Sequence, residues 1–293
     1  MGRDLAADFP VARDTFAEAD DCLGMRLSAL CFDGPREALA ATEYAQPAIL
    51  ATSIATFRVL ADTSGLEPAV VAGHSLGEWS ALVAAGVLGF AEALRGVRER
   101  GRLMQVAVPP GVGAMAAVIG LEAAEVATLC EEAAGGEVVA AANLNGAGQV
   151  VVAGHAGAVE RLMRLAEARR ARTTRLDVSA PFHCPLMRPA ADGVARFLAG
   201  IAVHTPRVPV VTSVEARPIA GREEVVPLLV RQVTAPVRWE ETMASLRRFE
   251  PTAALEVGPG RVLSGLARRL WPELPCHAVN DASTLAAAAE AVA

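Results

Sequence analysis

Three side chains in this chain could combine into covalent chemistry: a serine, a histidine and an arginine. Ser75 lies in Gly73-His74-Ser75-Leu76-Gly77-Glu78, a G-x-S-x-G pattern. Ala69-Val70-Val71-Ala72, bounded upstream by Pro68, reads as a short buried strand, and Ala81 to Ala85 as a helix. A serine on such a strand-to-helix turn is a nucleophile elbow. The two glycines are expected because the backbone bends too sharply for side chains at both flanks. The following helix would aim free N–H groups and the positive end of its dipole at the serine, which suits a developing oxyanion. The plain alternative is a tight turn that happens to contain a serine.

A serine nucleophile needs a base, and the base usually needs a third group to hold its ring. His183, in Ser179-Ala180-Pro181-Phe182-His183-Cys184, sits at a strand-to-helix junction. Such junctions share a sheet edge with the elbow, where open α/β sheets place their sites. The alternative is a capping or half-buried histidine. His74 neighbours Ser75 in sequence, so its side chain should point away from the serine's. His155, His204 and His277 have no recommending neighbourhood. Arg100 lies among Gly101, Leu103 and Met104. Facing a pocket, its guanidinium would hold a carboxylate with two parallel hydrogen bonds; otherwise it is a solvated side chain. Arg161, Arg164, Arg169, Arg170, Arg172 and Arg175 read as a solvated face, or as a place where an acidic partner could dock.

Composition narrows the chemistry. The 293 residues are 53% hydrophobic and 20% charged, enough for one large domain, or a large one with a smaller insert. A net charge of −6 gives no reason to expect nucleic-acid binding. No apolar run reaches membrane-spanning length, and the N-terminus lacks the apolar core of a signal peptide. Five scattered cysteines suggest reduced, intracellular thiols, and neither they nor the five histidines form a metal cluster. The chain contains no lysine, which removes a Schiff-base lysine and a Walker-type phosphate loop.

The elements that must position these residues follow in order. Residues 4–20 read as one helix, Gln46 to about 63 as a long one with Pro47 at its start, and about 90–107 as a third. From 112 the texture changes to strand 113–119, helix 122–134, strands 138–143 and 149–153, helix 155–170 and strand 173–178. That β-α-β-β-α-β order is a split βαβ unit of ferredoxin-like type, an inserted subdomain over residues 112–177. Residues 1–111 and 178–293 then form the large part. Its later portion reads as a helix from 184, strand 208–212, helices near 223–232 and 237–248, strand 253–257, helix 261–270 and a helical tail from Leu285 to Ala293. Alternating strands and helices imply an α/β fold with a mostly parallel sheet.

Taken together, Gln46-Pro47-Ala48, Gly73-His74-Ser75-Leu76-Gly77-Glu78, Arg100-Gly101-Arg102-Leu103-Met104-Gln105, Gly148-Gln149-Val150-Val151-Val152-Ala153-Gly154, Pro181-Phe182-His183 and Glu256-Val257-Gly258-Pro259-Gly260 occur in this order. The whole chain thereby resembles the malonyl-CoA:acyl carrier protein transacylases, including the acyltransferase domains of fatty acid and polyketide synthases. The resemblance implies a large α/β-hydrolase-like subdomain with a ferredoxin-like insert. It implies that Ser75 attacks the malonyl thioester, that His183 takes its proton, and that the phosphopantetheine thiol of a carrier protein then attacks the acyl-serine ester. It further implies that the backbone carbonyl of Gln232 orients His183 and that the Leu76 N–H donates to the oxyanion. Arg100 falls on the arginine that pairs with the malonyl carboxylate, Gln46 on a pocket-lining glutamine, and His74 on a substrate-binding position. Phe182 resembles members that prefer malonyl to methylmalonyl, a discrimination of only about 1–3 kcal/mol. The partners implied are malonyl-CoA and acyl carrier protein, with no cofactor, no metal, no nucleic acid and no membrane, in a cytoplasmic monomer.

One departure stands at the start of the chain. Family members open with a strand and a Gly-Gln-Gly-Ser-Gln-like loop that supplies a second oxyanion donor, and here both are expected to be missing. Losing one such donor costs about 10²–10³ in rate. Two other readings therefore stay open. One is a truncated form that binds carrier protein with weak or no turnover. The other is a serine thioesterase or esterase, for which Asp192 with His204 or His277 fits the required order only.

Overall fold

A computed structural model describes residues 1–292; the expected end of the tail at Ala293 lies outside the described residues. The first surprise is a break. Where one helix over 4–20 is expected, α1 (Arg3–Asp8) stops and α2 (Pro10–Leu23) starts afresh. Phe9 between them is extended, at φ −122° and ψ 118°, because the ring of Pro10 disfavours helical backbone in the residue before it. Two short helices, α3 (Leu27–Asp33) and α4 (Arg36–Ala40), flank Gly34-Pro35 before the long helix.

The long helix α5 runs Thr42–Ser64 and starts four residues earlier than expected, so Pro47 lies inside it. Its missing N–H therefore leaves a carbonyl of the first turn without its helical partner, a cost the expected register avoided. Twelve of its residues are buried, which makes α5 the central spar of the large core and explains its weak amphipathicity. Leu50, Ile54 and Val59 pack there with Trp79 and Leu82 of α6 (Gly77–Ala84) and Leu94 and Val97 of α7 (Phe90–Val106).

The strands of the large part are short. β1 (Val71–Ala72) pairs in parallel with β6 (Val210–Val211), and β7 (Ala254–Val257) in parallel with β8 (Cys276–Val279). Both β1 and β6 are shorter than the apolar runs that announce them, and β8 was not expected, being too brief and mixed to stand out. Helices α10 (Arg188–Leu198, entered through a 3-10 turn at Pro185–Met187), α11 (Val225–Gln232), α12 (Trp239–Leu246), α13 (Val262–Leu270) and α14 (Ala282–Val292) complete this part. No helix among the described residues is long and apolar enough to cross a membrane.

Between α7 and α10 lies an antiparallel sheet of β2 (Gly113–Ile119), β3 (Val139–Gly146), β4 (Gln149–His155) and β5 (Arg172–Arg175), ordered β3-β4-β2-β5. Helices α8 (Ala123–Ala134) and α9 (Ala156–Ala168) cover one face. Successive side chains of a strand point to opposite faces. Ala116, Val118 and Val152 accordingly join Val126, Leu129 and Leu162 in a core beneath the helices. Met115, Ala117, Val151 and Ala153 pack on the other face with Cys184, Phe182 and Leu186. Both faces being buried there, β2 and β4 read as continuous apolar runs, whereas the edge strand β5 is polar and mostly exposed. The open edge of β3 is closed from the large part: Val237 N–H donates to Ala142 O at 2.9 Å, and Leu144 N–H to Val237 O at 2.8 Å.

Candidate active site

Ser75 sits in the turn between β1 and α6, at φ 53°, in the left-handed region that non-glycine residues rarely occupy. The expectation that both flanking glycines answer to the bend needs correcting. A Cβ on Gly73 would lie 1.9 Å from the carbonyl carbon of Gly77, whereas one on Gly77 would meet nothing within 4 Å. Gly73 is therefore required by backbone approach, and Gly77 leaves open space beside the serine. Since neither backbone segment can yield, Gly73→Ala is expected to destabilise the fold by about 3 kcal/mol. Thermal unfolding checks this; a Tm within about 2 °C of the wild type would refute the close approach.

The His74 side chain leaves the serine as expected. Its Nε2 is 3.1 Å from Asn145 Oδ1 on β3, and its ring lies 5.6 Å from that of Trp239. Gly77 N–H donates to His74 O and Glu78 N–H to Ser75 O, while the Leu76 N–H has no acceptor among the described residues. A free donor thus sits one residue from the hydroxyl.

His183 follows β5 on the loop into α10 and also has a positive φ, 59°. It is 4% exposed, with Nε2 2.7 Å from Ser75 Oγ and Nδ1 2.8 Å from the carbonyl oxygen of Gln232. A carbonyl can only accept, so Nδ1 carries the proton, and Nε2 is left as the acceptor for the serine hydroxyl. Burial first, and the charge of Arg100 second, push the imidazole pKa down to about 3. The neutral, basic ring should therefore persist well into acid. We expect kcat/KM to show no histidine inflection near pH 6.5 between about pH 5 and 8, and an inflection there would contradict the assignment. The same depression links to stability. The unfolded ring ionises near 6.5 and the folded ring near 3, so its contribution is complete above pH 6.5 and is lost as pH falls toward 3.

Arg100, on α7, is only 2% exposed. Its Nη1 donates to Gln46 Oε1 at 2.7 Å, and its Nη2 to Gln232 Oε1 at 3.0 Å and Ser75 Oγ at 3.1 Å, while its Nε is buried without a partner. Burial lowers its pKa to about 10, which leaves it charged at neutral pH. Helices α5, α7 and α11 thus bring Gln46, Arg100 and Gln232 together around the serine. Glu78, 1% exposed on the first turn of α6, accepts from Gln232 Nε2 at 2.7 Å and from Ser213 Oγ at 2.6 Å. In the sequence Glu78 stands within the motif without a role of its own, and nothing there marks Ser213 or Asn145. A carboxylate fixed next to a nucleophile turn was the one available signal.

A cavity of about 320 Å³ opens beside the elbow, lined by Ile49, His74, Leu76, Gly77, Val257 and Leu263 among others. Its far wall is shaped by Glu256, whose carboxylate accepts from the N–H groups of Leu263 and Ser264 and so holds the start of α13. Phe182 does not line this cavity; it is half-buried and packs where the two parts of the molecule meet. The Ser-His-Asp arrangement of a hydrolase is not assembled among the described residues. Asp192 and His204 are exposed, and no carboxylate among the described residues touches His183. Of the arginine cluster, Arg161, Arg169 and Arg175 are engaged by Glu137, Glu132 and Glu160, leaving Arg164, Arg170 and Arg172 outside any ion pair among the described residues.

Comparison with known proteins gives a consistent result. The model of the acyl transferase domain family matches residues 1–274. Malonyl CoA-acyl carrier protein transacylase of Escherichia coli (strain K12) is 48% identical over 291 residues, covering 99% of this chain and 94% of that protein. The solved malonyl CoA-acyl carrier protein transacylase of Coxiella burnetii superposes with a TM-score of 0.97 at 40% identity, covering 100% of this chain and 93% of that one. A type II polyketide synthase acyl carrier protein solved in complex with its malonyl-transacylase contributes a match of TM-score 0.96 at 47% identity, covering 99% and 94%.

Proposed function

Because this chain belongs to the acyl transferase family, we propose that its buried Ser75–His183–Arg100 constellation carries malonyl groups from coenzyme A to an acyl carrier protein. The single observation that supports this most is Arg100 Nη2 lying 3.1 Å from the same Ser75 Oγ that meets His183 Nε2 at 2.7 Å. A nucleophile, its base and a carboxylate-binding cation converge on one point.

In the first half-reaction Ser75 Oγ attacks the thioester carbonyl as its proton passes to His183 Nε2. The tetrahedral oxyanion takes the Leu76 N–H, the coenzyme A sulfur leaves, and His183 returns the proton to it. In the second, the phosphopantetheine thiol of the carrier protein gives its proton to His183 and attacks the malonyl-serine ester. The Ser75 oxygen leaves and recovers that proton. The Gln232 carbonyl keeps the imidazole in the tautomer both halves need. The malonyl carboxylate takes the place beside the Arg100 guanidinium, with Gln46 holding the far side of that group. His74 and Gly77 border the cavity through which the acyl arm enters, and Phe182 supports the site from behind His183. This assigns the preference for malonyl over acetyl to Arg100; methylmalonyl carries the same carboxylate, and its exclusion stays with Phe182.

The proposal places the work in two parts. Residues 1–111 and 178–293 form the large acyltransferase subdomain and 112–177 the ferredoxin-like small one, each with its own apolar core in support. The setting proposed is the cytoplasm.

The test is the intact mass of the chain after brief mixing with malonyl-CoA, followed by addition of holo acyl carrier protein. The expected record is a malonyl-sized gain that is absent in Ser75→Ala and moves onto the carrier. A gain that water removes as fast as carrier protein does would favour a thioesterase. Carrier binding with no gain would favour a non-catalytic docking form.

A further inference from the structure

Resting on that reading, we infer that Glu78 is a positioning residue that fixes the carboxamide of Gln232 and supplies, through it, the counter-charge governing how strongly Arg100 draws a substrate carboxylate.

The argument starts from what each neighbour of Gln232 can do. Arg100 can only donate, so the carboxamide oxygen faces it, at 3.0 Å; a carboxylate can only accept, so the carboxamide nitrogen faces Glu78, at 2.7 Å. Turning the amide over would set donor against donor and acceptor against acceptor. The same nitrogen also reaches Ser75 O at 3.1 Å, on the nucleophile's own turn. Glu78 is thereby coupled to the base, whose ring rests on the Gln232 backbone carbonyl, and to the turn that carries the nucleophile.

Glu78 is itself held for this task. Ser213 gives its oxygen two donors, the backbone N–H at 3.0 Å and Oγ at 2.6 Å. Burial pushes the Glu78 carboxyl up from its ordinary value, and the donors from Ser213 and Gln232 pull it back toward the ionised form.

The arrangement also explains how a buried guanidinium stays available. All three groups that Arg100 touches are uncharged, and no carboxylate pairs with it directly among the described residues. A direct ion pair would compete with the substrate, whereas an uncompensated buried charge would be costly to fold and would hold the malonyl carboxylate too tightly to release. A counter-charge relayed through one amide balances the cation and leaves its face open.

Two isosteric or charge-keeping variants separate charge from reach. Glu78→Gln keeps an oxygen for the same donors and removes the charge. The expected result is a lower KM for malonyl-CoA and a rise of about tenfold in the malonyl-to-acetyl ratio of kcat/KM, the size of one charge across a single amide at an effective dielectric near 20. Glu78→Asp keeps the charge and shortens the reach, so kcat should fall about tenfold for both acyl groups at an unchanged ratio. A Glu78→Gln ratio within about twofold of the wild type, or below it, overturns the inference, as does a Glu78→Asp enzyme with wild-type kcat. If Glu78→Gln does not fold, Glu78→Asp decides alone. A wild-type chain that takes up no malonyl group would instead overturn the transferase reading itself.

Discussion

Arg100→Ala is expected to lower kcat/KM for malonyl transfer by about 10³-fold while changing acetyl transfer by less than about tenfold. The larger figure follows from removing one side of a desolvated, hydrogen-bonded charge pair, which costs on the order of 4 kcal/mol. Acetyl carries no carboxylate and forfeits only what Arg100 contributes to the order of the site. That contribution is visible in its bonds to Gln46 Oε1 and Gln232 Oε1, which the variant leaves without their donor. Arg100→Lys should recover part of the malonyl loss, because an ammonium restores the charge but not the planar fork. The check is a pair of kcat/KM values measured with malonyl-CoA and acetyl-CoA on protein of confirmed thermal stability. Equal losses for the two would show that Arg100 braces the site without reading the carboxylate.

His183→Ala should behave in the opposite pattern. Removing the base is expected to slow both half-reactions by about 10³–10⁴-fold, equally for malonyl and acetyl. KM should move little, because the ring nitrogens of His183 meet the nucleophile and the Gln232 carbonyl, and the malonyl carboxylate is read by Arg100. Rapid-quench measurement of acyl-enzyme formation with each donor gives the comparison directly. A loss confined to malonyl would mean that the imidazole serves binding, and the proton would need another acceptor.

The contrast between these residues shows how the sequence can and cannot be read. The elbow was legible because everything that makes it is local: an apolar strand, a tight turn and a helix within about fifteen residues. His183 is 108 positions away from Ser75, and only its junction and the family resemblance pointed to it. Gln232 acts on His183 through a backbone carbonyl, a group every residue possesses, so no side-chain pattern could announce that role. Glu78 and Ser213 lie 135 positions apart, and a solvent-facing glutamate in the first turn of a helix looks the same on paper as a buried one. Register errors had equally physical origins. Pro10 constrains Phe9 and divides what reads as one helix, and Pro47, which reads as a helix start, lies inside a helix that begins at Thr42. The β-α-β-β-α-β unit could be read because β2 and β4 are apolar runs bounded by turns, whereas β5, Arg172-Thr173-Thr174-Arg175, carries no such run. β8, four residues of mixed character set by pairing with β7, leaves no such trace of its own.

The backbone at the two reacting residues restricts which letters evolution or an engineer can write there. Ser75 and His183 both sit at positive φ, 53° and 59°. Histidine is among the side chains that tolerate this region, while a β-branched residue is a genuine outlier in it. Threonine offers the same hydroxyl as serine, yet its second branch should keep it from taking the turn, so Ser75→Thr ought to be a poorer enzyme than Ser75→Cys. The choice of serine over threonine as nucleophile is then a matter of torsion angle before it is one of reactivity.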